Sequence, residues 1–181
     1  MRHLTFIFGL LLVIFLSNGI AGPRKKGMAT RPETVIKAYV NWYKHNRERL
    51  EKFNMVPGSP GDSTHAYAVD FTVAEAYLRD IKKSGFVSDQ YIDNFREYFK
   101  ANDDYMKKNP QFDGPAYGFG IDLVYKGHDT PEIEYHLKKF KILSKSISGN
   151  KAQIVVKMAS SKYIFNLSKS GKSWLIDSLT Y

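Results

Sequence analysis

The sequence predicts an α+β domain in which N-terminal helices pack on a curved antiparallel sheet. Between residues 30 and 110, apolar residues recur at helical spacing in three segments. After Pro131, apolar and polar residues alternate through four short runs separated by turns. Alternation with a period of two is typical of strands that bury one face, and the helices would cover that face.

The first helix is predicted to begin at a capping box formed by Thr30 and Glu33, and to end near Phe53. The threonine hydroxyl would accept a hydrogen bond from the backbone amide three residues later. Its apolar stripe consists of Val35, Ile36, Tyr39, Val40 and Tyr43.

The second helix is predicted to start at another capping box, Thr72 with Glu75, and to end before Gly85 in the left-handed conformation. Ser88 is predicted to cap the third helix, which Pro110 would terminate. Residues 111–131 are glycine- and aromatic-rich, and we interpret them as an irregular segment that carries one short strand, 121–125.

The predicted strands of the sheet are 140–147, 151–158, 162–167 and 173–181. Residues 148–150 and 168–172 are predicted hairpin turns because they combine serine, glycine, asparagine and lysine between alternating runs. In the last run, Trp174, Ile176 and Ser178 would share one face, which makes Trp174 a predicted core residue.

The N-terminus predicts export. Arg2 precedes an apolar run, 4–16, and small residues follow at Gly19 and Ala21, which is the order of a cleaved signal peptide. We therefore expect a signal peptide at 1–21, a disordered leader at 22–29 and a single α+β domain at 30–181. The expected location is periplasmic or secreted, with no transmembrane anchor after processing.

The chain is basic, with a formal net charge of +9. Its lysines are scattered singly or in pairs along the predicted helices and strands, as on solvated faces, and do not form a dense patch. An exported protein with this distribution is not expected to bind nucleic acid. An anionic envelope surface or an acidic partner fits the charge better.

The closing residues, Gly171 to Ser178, have the sequence Gly-Lys-Ser-Trp-Leu-Ile-Asp-Ser, and Pro32 to Val40 have the sequence Pro-Glu-Thr-Val-Ile-Lys-Ala-Tyr-Val. Helices followed by a bent meander with such a last strand resemble the nuclear transport factor 2-like superfamily, the cone-shaped fold. More narrowly, the chain is similar to a bacterial secreted family known as domain of unknown function 3828.

The resemblance covers residues 30–181 and implies a pocket between the helices and the concave sheet. Members of the superfamily use that pocket for catalysis, for small-molecule binding or for protein contact. Its isomerases and dehydratases carry paired acidic or histidine residues inside the cone, and no such pair maps onto this sequence. No catalytic residue is therefore carried over.

One cluster of metal-ligand residue types occurs before the strands. It comprises His128, Asp129, Glu132, Glu134 and His136. Their spacing matches no zinc, calcium or iron template, so we interpret them as a solvated acidic turn. The sequence also has no cysteine and no serine-nucleophile motif in a fitting context. We expect no metal, no cofactor and no catalytic residue.

Aromatic residues are the remaining signal, with 12 Tyr and 12 Phe. A tyrosine combines an apolar ring with a hydroxyl, and so suits the place where a pocket wall meets water. The predicted ligand-binding residues are Tyr39, Trp42, Tyr43, Tyr67, Tyr117 and Tyr163. Ordinary core or surface packing is the alternative for each of them.

The leading hypothesis is an exported, non-enzymatic binding module that holds a small apolar or amphipathic ligand, or a protein partner, in or near a cone-shaped pocket. One alternative is an envelope interaction protein of the inhibitor or immunity type. Another is an isomerase- or hydrolase-type enzyme that uses the same pocket. An enzyme requires at least two ionisable groups that converge with shifted pKa values, whereas a binding module requires an aromatic and aliphatic lining with isolated polar groups.

Overall fold

The computed structural model describes residues 31–58, 64–125, 140–158 and 160–180. In these ranges, three helices precede an antiparallel sheet in the order β1-β2-β3-β4, which confirms the predicted α+β class with a curved, unclosed sheet. The elements are α1 (Pro32–Leu50), α2 (Phe71–Lys83), α3 (Asp89–Lys108), β1 (Phe140–Ser148), β2 (Lys151–Met158), β3 (Ser161–Ser170) and β4 (Ser173–Thr180).

Several predictions lie outside the described residues. They are the signal peptide 1–21, the leader 22–29 and the cluster from His128 to His136. The predicted cap of the first helix, Thr30, also lies outside, and the N-cap of α1 is Arg31, which makes no side-chain capping bond. Pro32 takes the first helical position, where its missing N–H needs no partner. The helix ends at Leu50, three residues before the predicted end.

The start of α2 differs from the prediction. Its N-cap is Asp70 and not Thr72. The Asp70 Oδ1 atom accepts hydrogen bonds from the backbone amides of Thr72 at 2.9 Å and Val73 at 3.1 Å. A carboxylate two residues upstream therefore performs the role assigned to the threonine, and its charge is favourable at a helix N-terminus.

The other helix boundaries agree with the sequence. Gly85 adopts a φ of 74°, the left-handed conformation expected after α2. Ser88 caps α3, since its hydroxyl oxygen accepts from the backbone amide of Tyr91 at 3.3 Å. The same loop reaches the sheet, where the Ser88 amide donates to the carbonyl of Ile176 and the Ile176 amide donates to the carbonyl of Phe86, each at 2.9 Å.

The predicted strand 121–125 is wrong, because this segment forms turns. The Asp122 Oδ1 atom accepts from the backbone amides of Val124 at 2.9 Å and Tyr125 at 2.7 Å. Aspartate side chains that bond to amides two and three residues ahead offer the backbone an alternative to a strand ladder. The Asp122 carboxylate therefore stabilises a turn in this segment, although its residues alternate as in a strand.

Both hairpins are tight, with Gly149 at φ 55° and Gly171 at φ 59°. Both turns occur where they were predicted but are shorter, because β1 continues to Ser148 and β3 continues to Ser170. A bulge on β4 also corrects the predicted face of Ser178. Leu167 pairs with Ile176 while Asn166 pairs with Ser178, so Asp177 is an extra residue.

The inner face of the sheet is filled by side chains. The bulge moves Leu179 to the position opposite Phe165, which is fully buried. The helices α1 and α3 make their principal contacts with the sheet through β4. The fully buried residues of this face include Ile154, Val156, Met158, Phe165, Leu167 and Ile176. Helix and sheet surfaces therefore join in one hydrophobic core.

Candidate functional site

A cleft of about 430 Å³ lies beside the C-terminal end of α1, and we call it the Asp122 cleft. Its walls come from the end of α1, from residues 53–56, from α2 and from residues 115–123. The larger apolar residues that line it are Leu50, Phe53, Met55, Val56, Phe119, Ile121 and Leu123. The lining also contains five residues with polar side-chain atoms, which are Tyr43, Glu51, Asn54, Tyr77 and Asp122.

Asp122 is held in place by three hydrogen bonds. Its Oδ1 atom accepts the two turn amides described above, and its Oδ2 atom accepts the hydroxyl of Tyr43 at 2.6 Å. Because a carboxylate oxygen can accept two hydrogen bonds, Oδ2 retains capacity for one further donor. Asp122 is only half-buried, so a ligand in the cleft can supply that donor.

Tyr43 reaches Asp122 because it lies on the buried stripe of α1, one turn after Tyr39. Its ring meets the ring of Tyr125 edge-on at a centroid distance of 5.1 Å. Burial, followed by the negative charge of Asp122, raises the pKa of Tyr43 well above its ordinary value. The hydroxyl therefore remains a donor throughout the physiological pH range.

Buried tyrosines continue from this point into the core. The hydroxyls of Tyr39 and Tyr91 are 2.7 Å apart, and the Tyr163 hydroxyl donates to the Tyr125 carbonyl at 3.2 Å. Burial raises the pKa of Tyr39, Tyr77, Tyr91 and Tyr125 as well. The Tyr125 hydroxyl is buried without a hydrogen-bond partner among the described residues. Burial keeps these phenols neutral and disfavours their use as bases.

Of the predicted ligand-binding residues, Tyr43 is the one that lines the Asp122 cleft. Tyr39 is fully buried in the core, and Trp42 is half-buried and stacks on Tyr39 at 6.0 Å. Tyr163 is buried on the inner face of β3. A run of ring contacts through Tyr125 nonetheless links Tyr39, Tyr43 and Tyr163.

Tyr67 and Tyr117 do not belong to the lining of the Asp122 cleft. Tyr67 is buried, and its backbone amide donates to the carbonyl of Gln111 at 2.7 Å. Tyr117 is 51% exposed and stacks on Tyr105 with 4.0 Å between the ring centroids. The structure therefore does not bring the six predicted aromatic residues together at one opening.

Asp122, Tyr77 and Tyr125 are cleft or network residues that the sequence interpretation missed. For Asp122 a local signal exists in the residue type. The side chain of an aspartate can accept hydrogen bonds from the backbone amides two and three residues later, and this favours a turn. The apolar alternation of 121–125 masked that signal. Tyr77 lies on the apolar stripe of α2, where sequence spacing does not separate a cleft wall from the core.

Within the described ranges, no cluster of three or more histidine, aspartate or glutamate residues is arranged to hold a metal ion. None of α1, α2 and α3 is both long and apolar enough to cross a membrane.

Comparison of the chain with protein-family models, with curated proteins and with solved structures found no match. The resemblance to the cone-fold superfamily therefore remains a prediction from the residues of α1 and β4.

Proposed function

We propose that the protein is an exported, non-enzymatic binding module that holds a small amphipathic ligand in the Asp122 cleft. The observation that carries the proposal is a positioned carboxylate with spare acceptor capacity inside a mainly apolar wall. Ligand sites commonly combine such a wall with a few polar groups that fix orientation. At about 430 Å³, the cleft is also within the size range of small-molecule pockets.

The polar groups define the chemistry of the ligand. Asp122 offers an acceptor, and the guanidinium of Arg47 already pairs with the carboxylate of Glu51 at 3.1 Å. No lysine or arginine belongs to the described lining of the cleft. A ligand with an ammonium or another N–H donor therefore suits Asp122, and an apolar body suits the walls at Phe53 and Phe119.

The same groups make the enzyme alternative less favourable. Acid–base catalysis needs two converging groups that exchange protons near the working pH. The pKa values of Tyr43 and Tyr77 lie far above that range because both residues are buried. Both oxygens of Asp122 already accept hydrogen bonds. The arrangement supports recognition better than proton transfer.

The test is a thermal-shift screen with three classes of small amphipathic probe, which are amines, neutral alcohols and carboxylates. Amines should raise the melting temperature of the wild-type protein, because a ligand that binds only the folded state stabilises it. Asp122→Asn should abolish the preference for amines over carboxylates. Failure of every class to shift the melting temperature would contradict the proposal.

Three tyrosine substitutions locate the ligand. Tyr43→Phe should weaken amine binding, because Asp122 loses the donor that orients it. Tyr117→Phe is the matched control, since the same atom is removed from an exposed ring. Equal loss of binding in Tyr39→Phe and Tyr43→Phe would place the ligand deeper, between the helices and the sheet, as the sequence predicted.

A further inference from the structure

Three lysines lie directly opposite one another across three strands, and we call them the lysine row. Lys141 of β1 pairs with Lys157 of β2, and Lys157 pairs with Lys162 of β3. Directly opposed residues of antiparallel strands place their side chains on the same face, about 5 Å apart at Cβ. The row therefore spans about 10 Å.

The lysine row is on the outer face of the sheet, away from the helices. Lys157 lies between Val156 and Met158, whose side chains are fully buried on the inner face. Because successive side chains of a strand point to opposite faces, Lys157 points outward, and its two partners do the same. All three lysines are exposed.

Among the described residues, no carboxylate forms an ion pair with the row. The other basic residues of the sheet with described ion pairs, Lys145 and Lys151, contact Glu33 and Asp177 at 3.2 Å each. Lys141, Lys157 and Lys162 have no ion-pair partner in the described parts of the chain. Like charges directly opposite each other destabilise a sheet, so a bound anionic surface would relieve a cost that the free protein bears.

The acidic group on the described part of this face is Asp177, which is distant from the row. Asp177 bonds to Lys151, which lies at the other end of β2, about 20 Å from Lys157 at the rise of a strand. That separation exceeds the Debye length of about 8 Å at physiological salt. Asp177 therefore does little to reduce the positive potential of the lysine row.

We propose that the lysine row docks the protein on the surface of an anionic phospholipid bilayer. The row projects from an exposed sheet face, and so it suits an extended array of phosphates. Next to it lie the half-buried side chains of Val155 and Ile164, and Leu143, at the bulge of β1, is 41% exposed. The interfacial layer of a bilayer accepts both charged and apolar side chains.

The test is co-sedimentation of the full chain with vesicles of phosphatidylcholine, with and without phosphatidylglycerol, at low and high salt. The wild-type protein should bind the anionic vesicles at low salt. The triple variant Lys141→Gln, Lys157→Gln, Lys162→Gln should bind on the order of 100-fold more weakly, since each lysine near an anionic surface contributes about 1 kcal/mol, or about fivefold. Replacing the same three residues with arginine should preserve binding.

The matched control removes three other exposed lysines, Lys44, Lys83 and Lys108, by the same change to glutamine. It lowers the net charge equally and should leave vesicle binding within about threefold, because electrostatic attraction falls off within a Debye length. Every variant keeps the same N-terminal region, so any contribution of that region cancels in the comparison. The variant with glutamine in place of the three lysines of the row should have a melting temperature equal to or higher than that of the wild-type protein, because the repulsion between the lysines is removed.

Three outcomes would overturn the proposal. The first is equal binding of the wild-type protein to neutral and anionic vesicles. The second is equal loss of binding in the row variant and in the control variant. The third is capture on polyglutamate-coated beads that depends on the row while anionic vesicles fail to bind, which would assign the row to an acidic polypeptide.

Discussion

The hydroxyl of Tyr43 donates to the Oδ2 atom of Asp122 over 2.6 Å, although 79 positions separate the two residues in the chain. This bond ties the buried stripe of α1 to the turn at 122–125. The same carboxylate holds that turn through the amides of Val124 and Tyr125. One side chain therefore fixes both the local backbone and a wall of the cleft.

The bond predicts strong coupling between the two residues. Tyr43→Phe should lower the free energy of unfolding by about 2 kcal/mol, as expected for a hydrogen bond to a charged group. Asp122→Ala should cost about 3 kcal/mol because two turn amides also lose their acceptor. Urea denaturation of the double variant should reveal a coupling energy of about 1 kcal/mol or more, whereas Tyr43→Phe with Tyr117→Phe should be additive.

Gly118 and Gly114 provide a matched pair for the wall of the cleft. Both have positive φ, 77° and 74°. A Cβ at Gly118 would overlap the side-chain amide of Asn102, whereas a Cβ at Gly114 would meet nothing within 4 Å. Gly114→Ala should therefore cost about 1 kcal/mol from backbone conformation alone.

Gly118→Ala should cost a further 1–3 kcal/mol or so, the usual effect of overpacking. The Tyr98 hydroxyl donates to the Gly118 carbonyl at 2.7 Å, so the substituted segment cannot move away without breaking that bond. Chemical denaturation measures both costs. Equal destabilisation by the two substitutions would show that the approach of α3 does not restrict this position.

The buried tyrosines predict loss of stability at alkaline pH. Burial raises the pKa values of Tyr39, Tyr43, Tyr77, Tyr91 and Tyr125 above the unfolded value of about 10. Above that pH the unfolded chain releases protons that the folded protein retains, so stability falls as pH rises. Below it, the tyrosines are protonated in both states and their contribution is fully present.

Each such tyrosine should lower the free energy of unfolding by about 1.4 kcal/mol per pH unit above pH 10 or so, and the five together by about 7. Circular dichroism should therefore lose its folded signal in the same cooperative step in which phenolate absorbance rises. Tyr117→Phe should leave that step unchanged, because Tyr117 is exposed. Gradual titration of all tyrosines with the fold intact would contradict the prediction.

Trp174 is buried as predicted, with 4% of its surface exposed. Trp174→Ala should cost about 3–5 kcal/mol through lost apolar contacts and a cavity between β4 and the helices. Trp42→Ala is the comparison, since Trp42 is the other tryptophan and is half-buried. Its loss should cost clearly less, and an equal fall in melting temperature would argue against Trp174 as the principal anchor of β4.

Export remains a prediction from residues 1–21. Mass spectrometry of the protein recovered from the periplasm or the medium should detect a chain that begins at or near Gly22. Replacing the apolar Leu11 and Leu12 with arginine should stop processing, because the apolar run is what the export machinery recognises. Recovery of an uncleaved chain from the membrane fraction would contradict cleavage after Ala21.

The regular elements could be predicted because their signals are local. The alternation of Ala152, Ile154 and Val156 and the stripe of Tyr39 and Tyr43 each need only one segment of sequence. The bulge at Asp177 could not be read in this way, because an extra residue is defined only against the partner strand.

The candidate site depends on contacts that are distant in sequence. Nothing near Tyr43 indicates that its hydroxyl meets Asp122 while that of Tyr39, one turn earlier, meets Tyr91. Both tyrosines belong to the same apolar stripe, so periodicity assigns them one environment. The burial of each tyrosine and the hydrogen-bond partner of its hydroxyl then depend on which other element its ring contacts.

The bridge between Val87 and Ile176 has a consequence for the timing of folding. The amide of Ser88, the residue that caps α3, finds its acceptor on β4, which is synthesised long after the helix. Contacts between such distant segments form late, because the intervening chain must first be closed into a loop. The helices therefore reach their final packing only after β4 has emerged from the ribosome. That order of events would suit the export predicted from residues 1–21, because passage through a narrow secretion channel requires an unfolded chain.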